Sequence, residues 1–208
     1  AFRHLGFFPD QSPHWMWVAN KINDFSIDAS NSNPPKILNL FGYSGLASLH
    51  AASNGASVTH VDASKKAIHF AFENRNLSSF SNLPIKYLTD DALKFVYREI
   101  RRGNKYDGII LDPPKYGRGP NGEKWELHKD LPILLNPLPK ILSEEPLFII
   151  LNSYAIRSSY LSLHYALMEV MKKIGGKVES GEISIFEDQP DPREISTAIF
   201  ARWENDKP

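Results

Sequence analysis

At 208 residues, with 42% hydrophobic and 12% aromatic side chains, the chain can bury one sizeable core and is too short for two ordinary domains. Lysine plus arginine and aspartate plus glutamate both number 24, so no global charge excess points to a polyanionic partner. Cysteine is absent, which excludes disulfides, thiolate metal sites and a cysteine nucleophile together. No apolar run approaches the ~18 residues of a membrane span and no secretory signal pattern opens the chain, so neither a membrane partner nor export is expected and the cytoplasm is the default. The chain starts at Ala1 in "AFRHLGFFPDQ" without a methionine, and it is expected to be the catalytic part of a longer protein.

From Lys36 onward, short apolar runs alternate with helical-period segments. The stretch "DASNSNPP", Asp28 to Pro35, reads as a linker ahead of the first strand, "KILNLF". Gly42 and Gly45 bracket a turn into a helix that Gly55 closes. The run "SVTHVD" is a second strand, followed by a helix with Ala67, Ile68, Ala71 and Phe72 on its buried face. The run "IKYL" is a third strand, followed by a helix from about Asp91 to Arg102, and "YDGIIL" and "LFIIL" are the fourth and fifth strands. Between these last two, "LPILLNPLPKIL" predicts an irregular helix, because Pro137 and Pro139 each remove a backbone donor. A helix after Ser158 carries Tyr160, Leu163, Leu167, Val170, Met171 and Ile174 on one stripe and stops at Gly175. The closing runs "KVESGEISIF" and "STAIFARW" have no helix between them and read as an antiparallel pair. Alternation of strand and helix predicts an α/β fold with a parallel sheet, right-handed crossovers and helices on both faces.

Ligands of such sheets bind outside the carboxyl ends of the strands, so the residues just after each strand carry the weight. After the first strand come Asn39, Phe41, Gly42, Tyr43, Ser44 and Gly45, where the glycines allow close backbone approach and a helix N-terminus offers free N–H groups. The turn is not a G-x-G-x-x-G fingerprint, which sets aside a nicotinamide-dependent oxidoreductase. Asp62, then Ala63, stands about 20 residues beyond the glycine turn, where an acid can accept both hydroxyls of a ribose; its plainer role is to cap the next helix. Asp90 and Asp91 precede Ala92, one acid to cap a helix and one to accept from an adenine amino group. Asp112 follows the fourth strand, fixed by Pro113 and Pro114. A rigid acceptor there can align a nitrogen for in-line attack.

The series "LNLFGYSG", "VDAS", "TDDA" and "LDPPKYG" resembles the class I S-adenosylmethionine-dependent methyltransferases over roughly Lys36 to Trp203. The resemblance implies a Rossmann-like seven-stranded, mostly parallel sheet of order 3-2-1-4-5-7-6 and S-adenosyl-L-methionine as cofactor; the histidine spacing gives no metal site. It divides the chain into residues 1–35, an N-terminal extension covering the cofactor site, and residues 36–208, the methyltransferase domain. More narrowly, "DPPKYG" and "GFFPDQ" look like the bacterial large-subunit ribosomal RNA methyltransferases that modify cytosine or guanine. That likeness implies Asp10 and Gln11 in a roof over the cofactor, a catalytic series Asp112, Pro113, Pro114, Lys115 and Tyr116, and ribosomal RNA as partner. The chain departs from the pattern at Ser12, where a basic residue is usual, and at Asn39, where many methyltransferases carry an acid.

Methylation at carbon 5 of cytosine needs a covalent nucleophile, normally cysteine. Here the stretch after the fifth strand reads "NSYAIRSS", and Ser153 is a poor substitute. A nitrogen of a base is therefore the expected methyl acceptor. Lys115, Arg118, Lys124 and Lys129 lie on the active-site side, where they can meet phosphate, and Tyr116 and Trp125 can stack on a base. The basic end of "REIRRGNK" falls at the opposite edge and is read as charge at a helix C-terminus. His50, His60, His69 and His164 show no ligand-like spacing and are read as surface or packing residues. Methylation of a protein or small molecule, and a non-catalytic cofactor-binding scaffold, are the alternatives.

Overall fold

A computed structural model describes residues 6–27 and 33–206. The expected linker Asp28 to Pro35 lies outside these residues as far as Ser32. Residues 33–35 run without regular structure into the first strand.

The core is one seven-stranded sheet. Its strands are β1 (Lys36–Leu40), β2 (Ser57–Asp62), β3 (Ile85–Thr89), β4 (Gly108–Leu111), β7 (Phe148–Tyr154), β8 (Lys177–Phe186) and β9 (Glu194–Glu204), in the order β3-β2-β1-β4-β7-β9-β8. A separate antiparallel hairpin, β5 (Tyr116–Arg118) and β6 (Lys124–Glu126), accounts for the remaining two. Counted without the hairpin, the order is the 3-2-1-4-5-7-6 that the family resemblance implies. The first five strands of that count are parallel to one another, and β9 runs antiparallel to both β7 and β8. The sheet ends at β8, whose pairing with β9 shifts register between Ile183 and Ser184 and whose Glu179 and Glu182 are exposed.

Side chains alternate across the pleat and build two apolar layers. Ile37, Val58, Ile110, Phe148 and Ile150 pack with Val18 and Ile22 of α1 (Ser12–Ile27) and with Leu49, Ala51 and Ala52 of α2 (Leu46–Ser53). Leu38, Leu40, Ile109, Leu111, Ile149 and Leu151 face the other way. They pack with Phe95 and Val96 of α4 (Ala92–Arg102), Leu131 and Leu134 of α5 (Leu127–Leu135), and Leu163 and Leu167 of α6 (Tyr160–Met171). The expected stripe on α6 is realised: Leu163, Leu167 and Met171 are buried, and Gly175 adopts φ +87° just past the helix. Pro132 lies inside α5, which gives way to a 3-10 turn over Leu138–Ile141, so the irregular helix begins earlier than the sequence pattern indicates.

Two features depart from the sequence reading. Phe72 of α3 (Lys65–Leu77), expected on the buried face with Ala67 and Ala71, is 42% exposed, with the Arg75 guanidinium 4.6 Å from its ring centroid. Helix α1 is absent from that reading, although residues 9–27 place a 3-10 turn and a helix against α2 and the sheet.

Candidate cofactor and active site

A cleft of about 480 Å³ opens at the carboxyl ends of the parallel strands. Asn39 of β1 and Phe41, Gly42, Tyr43 and Ser44 of the turn after it line the cleft. Phe41 and Tyr43 hold φ +60° and +43°, values that cost a non-glycine residue of the order of 1 kcal/mol. Gly42 is demanded by packing: a Cβ there would stand 2.3 Å from Cε1 of His60. Gly45 initiates α2 at φ +84°, and a Cβ would meet the Ala71 methyl at 2.9 Å. It does not line the cleft. The two glycines therefore close the turn against β2 and α3, and the surface they leave to a ligand is mostly that of their neighbours.

Asp62 at the end of β2 ties the turn down. Its Oδ2 accepts from the Tyr43 N–H at 3.0 Å and its Oδ1 from the Ser64 N–H at 2.8 Å. Burial nevertheless raises its pKa, the two amides only offsetting that effect. Each carboxylate oxygen keeps acceptor capacity for a ribose hydroxyl. Helix α3 is capped by Ser64, not by Asp62. At the end of β3 the two acids divide their work. Asp91 caps α4, accepting from the Lys94 N–H at 3.0 Å, while Asp90 accepts from the Asp91 N–H at 2.8 Å and ion-pairs with Arg98. Both line the cleft with Ala63 and Ala92.

Asp112 stands at the end of β4. Its Oδ1 accepts from the Asn152 amide at 2.8 Å, and burial, with Asp10 adding to it, pushes its pKa up from 3.8 to about 6 against the opposing pull of Asn152. Pro114 also lines the cleft, and its carbonyl accepts from the Trp125 indole N–H at 2.7 Å. The Trp125 ring packs on Phe41, with centroids 4.9 Å apart, so the β5–β6 hairpin is fastened to both the Asp-Pro-Pro turn and the turn after β1. A Lys94–Glu123 ion pair adds a tether to α4.

The expected catalytic series is only partly assembled. Pro113 is buried behind Asp112. Lys115 is exposed, and Tyr116 is 65% exposed with the Lys115 ammonium 5.5 Å from its ring; none of the three lines the cleft. Of the hairpin, Gly117, Arg118, Gly119 and Trp125 reach the cleft, whereas Tyr116, at the start of β5, turns outward. Of the basic residues, Arg118 reaches the lining, whereas Lys124 and Lys129 are exposed outside it.

Residues missed by the sequence reading complete the far wall. Asn152 and Tyr154 belong to β7, where the strand-end rule that found Asp112 applies equally. Ser153 between them is buried and does not line the cleft. From the N-terminal segment come Phe8, His14, Trp15 and Val18, beside Asp10 and Gln11, which the family resemblance had already implied there. His14 is buried with neither ring nitrogen hydrogen-bonded among the described residues, and burial followed by the Arg202 charge lowers its pKa to about 3.

Sheet order, glycine turn and strand-end acids together define the class I S-adenosylmethionine-dependent methyltransferase fold. The chain belongs to the family described as Conserved hypothetical protein 95, which matches residues 20–129. It is 37% identical over 109 residues to the Ribosomal RNA large subunit methyltransferase K/L of Shewanella frigidimarina, covering 51% of this chain and 15% of that protein. It is 34% identical over 125 residues to the protein of the same name from Pseudoalteromonas translucida, covering 59% and 17%. The crystal structure of a SAM-dependent methyltransferase from Agrobacterium tumefaciens superposes with a TM-score of 0.91 at 48% identity, covering 98% of this chain and 64% of that one. The chain thus spans a minor part of the curated relatives and just under two thirds of the Agrobacterium protein.

Proposed function

We propose that this chain is the catalytic domain of an S-adenosylmethionine-dependent enzyme that methylates a nitrogen of a base in ribosomal RNA. The carrying observation is Asp112: a carboxylate on a proline-stiffened turn, hydrogen-bonded by Asn152 on one oxygen, in the wall of a cleft whose other end presents Asp62, Asp90 and Asp91. The names of the relatives support the substrate class.

The described residues fit the cofactor. Asp62 would accept from the ribose hydroxyls, the Asp90–Asp91–Ala92 corner would meet the adenine, and Gln11 and Asn39 would hold the amino-acid end. When bound, the cofactor supplies an electrophilic methyl group on a sulfonium. Asp112 receives an N–H of the base on the carboxylate oxygen not held by Asn152, which turns the nitrogen lone pair toward the methyl. Phe41 and Trp125, packed ring on ring, give the cleft an apolar wall. Since Ser153 does not reach the cleft and the sequence has no cysteine, carbon attack through a covalent enzyme adduct has no nucleophile here.

The test is methyl transfer from labelled cofactor to ribosomal RNA, with nucleoside mass analysis of the product. A nitrogen-methylated nucleoside is expected, and Asp112→Ala should lower kcat by about 100-fold or more with little change in cofactor Kd. Recovery of 5-methylcytosine, or transfer to protein but not to RNA, would overturn the proposal.

A further inference from the structure

Beneath the turn after β1 runs a chain of three buried polar side chains. Asn39 of β1, 2% exposed, donates its amide nitrogen to Ser48 Oγ of α2 at 2.9 Å, and Ser48 Oγ meets His60 Nδ1 of β2 at 2.9 Å. Asn39 and His60 are register partners on adjacent strands, and Ser48 and His60 are fully buried. A serine hydroxyl has one proton. The oxygen also has two lone pairs; with Asn39 donating to one of them, the acceptor within reach of the Ser48 proton among the described residues is Nδ1 of His60, which makes it the accepting atom of a neutral imidazole whose Nε2 is buried without a hydrogen bond. The polarity of the whole chain is then fixed, and the Asn39 amide nitrogen is committed to Ser48. Because Asn39 lines the cleft, its oxygen is the atom left to face a ligand. Burial lowers the His60 pKa to about 4, which keeps the ring neutral at physiological pH.

We infer that His60, acting through Ser48, is a positioning residue that holds the Asn39 amide with its oxygen toward the cleft, so that a neutral side chain accepts a hydrogen bond from the ammonium of the cofactor's amino-acid end. The inference rests on the cofactor reading proposed above. An acid at position 39 would present an acceptor in either orientation; an amide presents one only if it is held, and the relay supplies the hold.

The distinguishing experiment is a double-mutant cycle read by calorimetric binding of S-adenosylmethionine, with urea midpoints confirming folding. His60→Leu removes the acceptor and should raise Kd by about tenfold, whereas His60→Gln, which can still accept from Ser48, should stay within about threefold of the parent. In an Asn39→Asp background Ser48 donates to the new carboxylate, and the His60→Leu penalty should fall below about threefold. KM for the cofactor should rise in His60→Leu with kcat little changed. Should His60→Leu fail to fold, Ser48→Ala carries the same expectation. Unchanged affinity in both His60→Leu and Ser48→Ala would overturn the inference. So would an equal loss in the parent and Asn39→Asp backgrounds, which is what lost packing against Gly42 alone would give. A parent chain that binds no S-adenosylmethionine would instead overturn the cofactor reading.

Discussion

Asp112 is held where it is costly to hold a charge. Its carboxyl is pushed from 3.8 to about 6, so the folded chain binds that proton more tightly than the unfolded chain does. Stability from this group is fully present below about pH 4, is lost as pH climbs to about 6, and stays lost above. A shift of that size corresponds at most to about 3 kcal/mol, and roughly 1–2 kcal/mol is the better expectation because the carboxyl also faces the cleft. Asp112→Asn should therefore raise the urea midpoint at pH 7.5 and leave it nearly unchanged at pH 3.5, while turnover falls. Equal effects at both pH values would show that charge is not the cause. For the parent, kcat/KM should climb with pH through an apparent pKa near 6, because the ionised form is the acceptor. The position of Asp112 was legible because two prolines make its turn unmistakable. Its partner Asn152 was harder to find, because it lies inside β7, two residues before the strand ends at Tyr154, and no proline or glycine beside it marks the position. Lys115 and Tyr116 carried a motif's expectation that the outward turn of a short hairpin defeats.

The elements read from the sequence were those with long periods. Helix α4, with Asp91 at its start and Gly103 at φ +69° at its end, could be placed to within a residue. The β5–β6 hairpin could not: its strands are three residues each, too short to show alternation, and its glycines read as loop. Helix α1 had a signal in the spacing of Val18 and Ile22, but Met16 and Trp17, with Met16 57% exposed, blur the apolar face. The hairpin is held by few bonds, and the Trp125 indole makes one of them. Trp125→Phe keeps the ring on Phe41 and removes the bond to the Pro114 carbonyl. Amide exchange across residues 116–126 should accelerate by about 3- to 30-fold, the equivalent of roughly 1–2 kcal/mol, with global stability little altered. Unchanged exchange would mean that the Lys94–Glu123 tether suffices.

Over the whole molecule, alternating strand and helix made the parallel sheet legible, whereas the place of β9 between β7 and β8 came from the family resemblance, since apolar patterning does not encode strand order. The balanced charge of the chain hides a local arrangement: Arg118 and Lys124 share the hairpin beside the cleft, and Lys129 follows on α5. Reversing Arg118 and Lys124 to glutamate should weaken binding of structured RNA and flatten its dependence on salt by about one unit of log–log slope per lost phosphate contact. A parallel shift with unchanged slope would place the RNA elsewhere. The outer strand β8 bears on a different matter, the solubility of the folded chain. A ten-residue strand with an open edge is a template on which another molecule can add a strand. Here the pairing skips Thr197 of β9 between Ile183 and Ser184, which increases the local twist of the pair, and Glu182 and Glu179, the latter ion-paired with Arg202, put charged groups along the rim. A second molecule adding to this rim would have to pair with a twisted strand and desolvate those carboxylates, which disfavours an eighth strand beside β8.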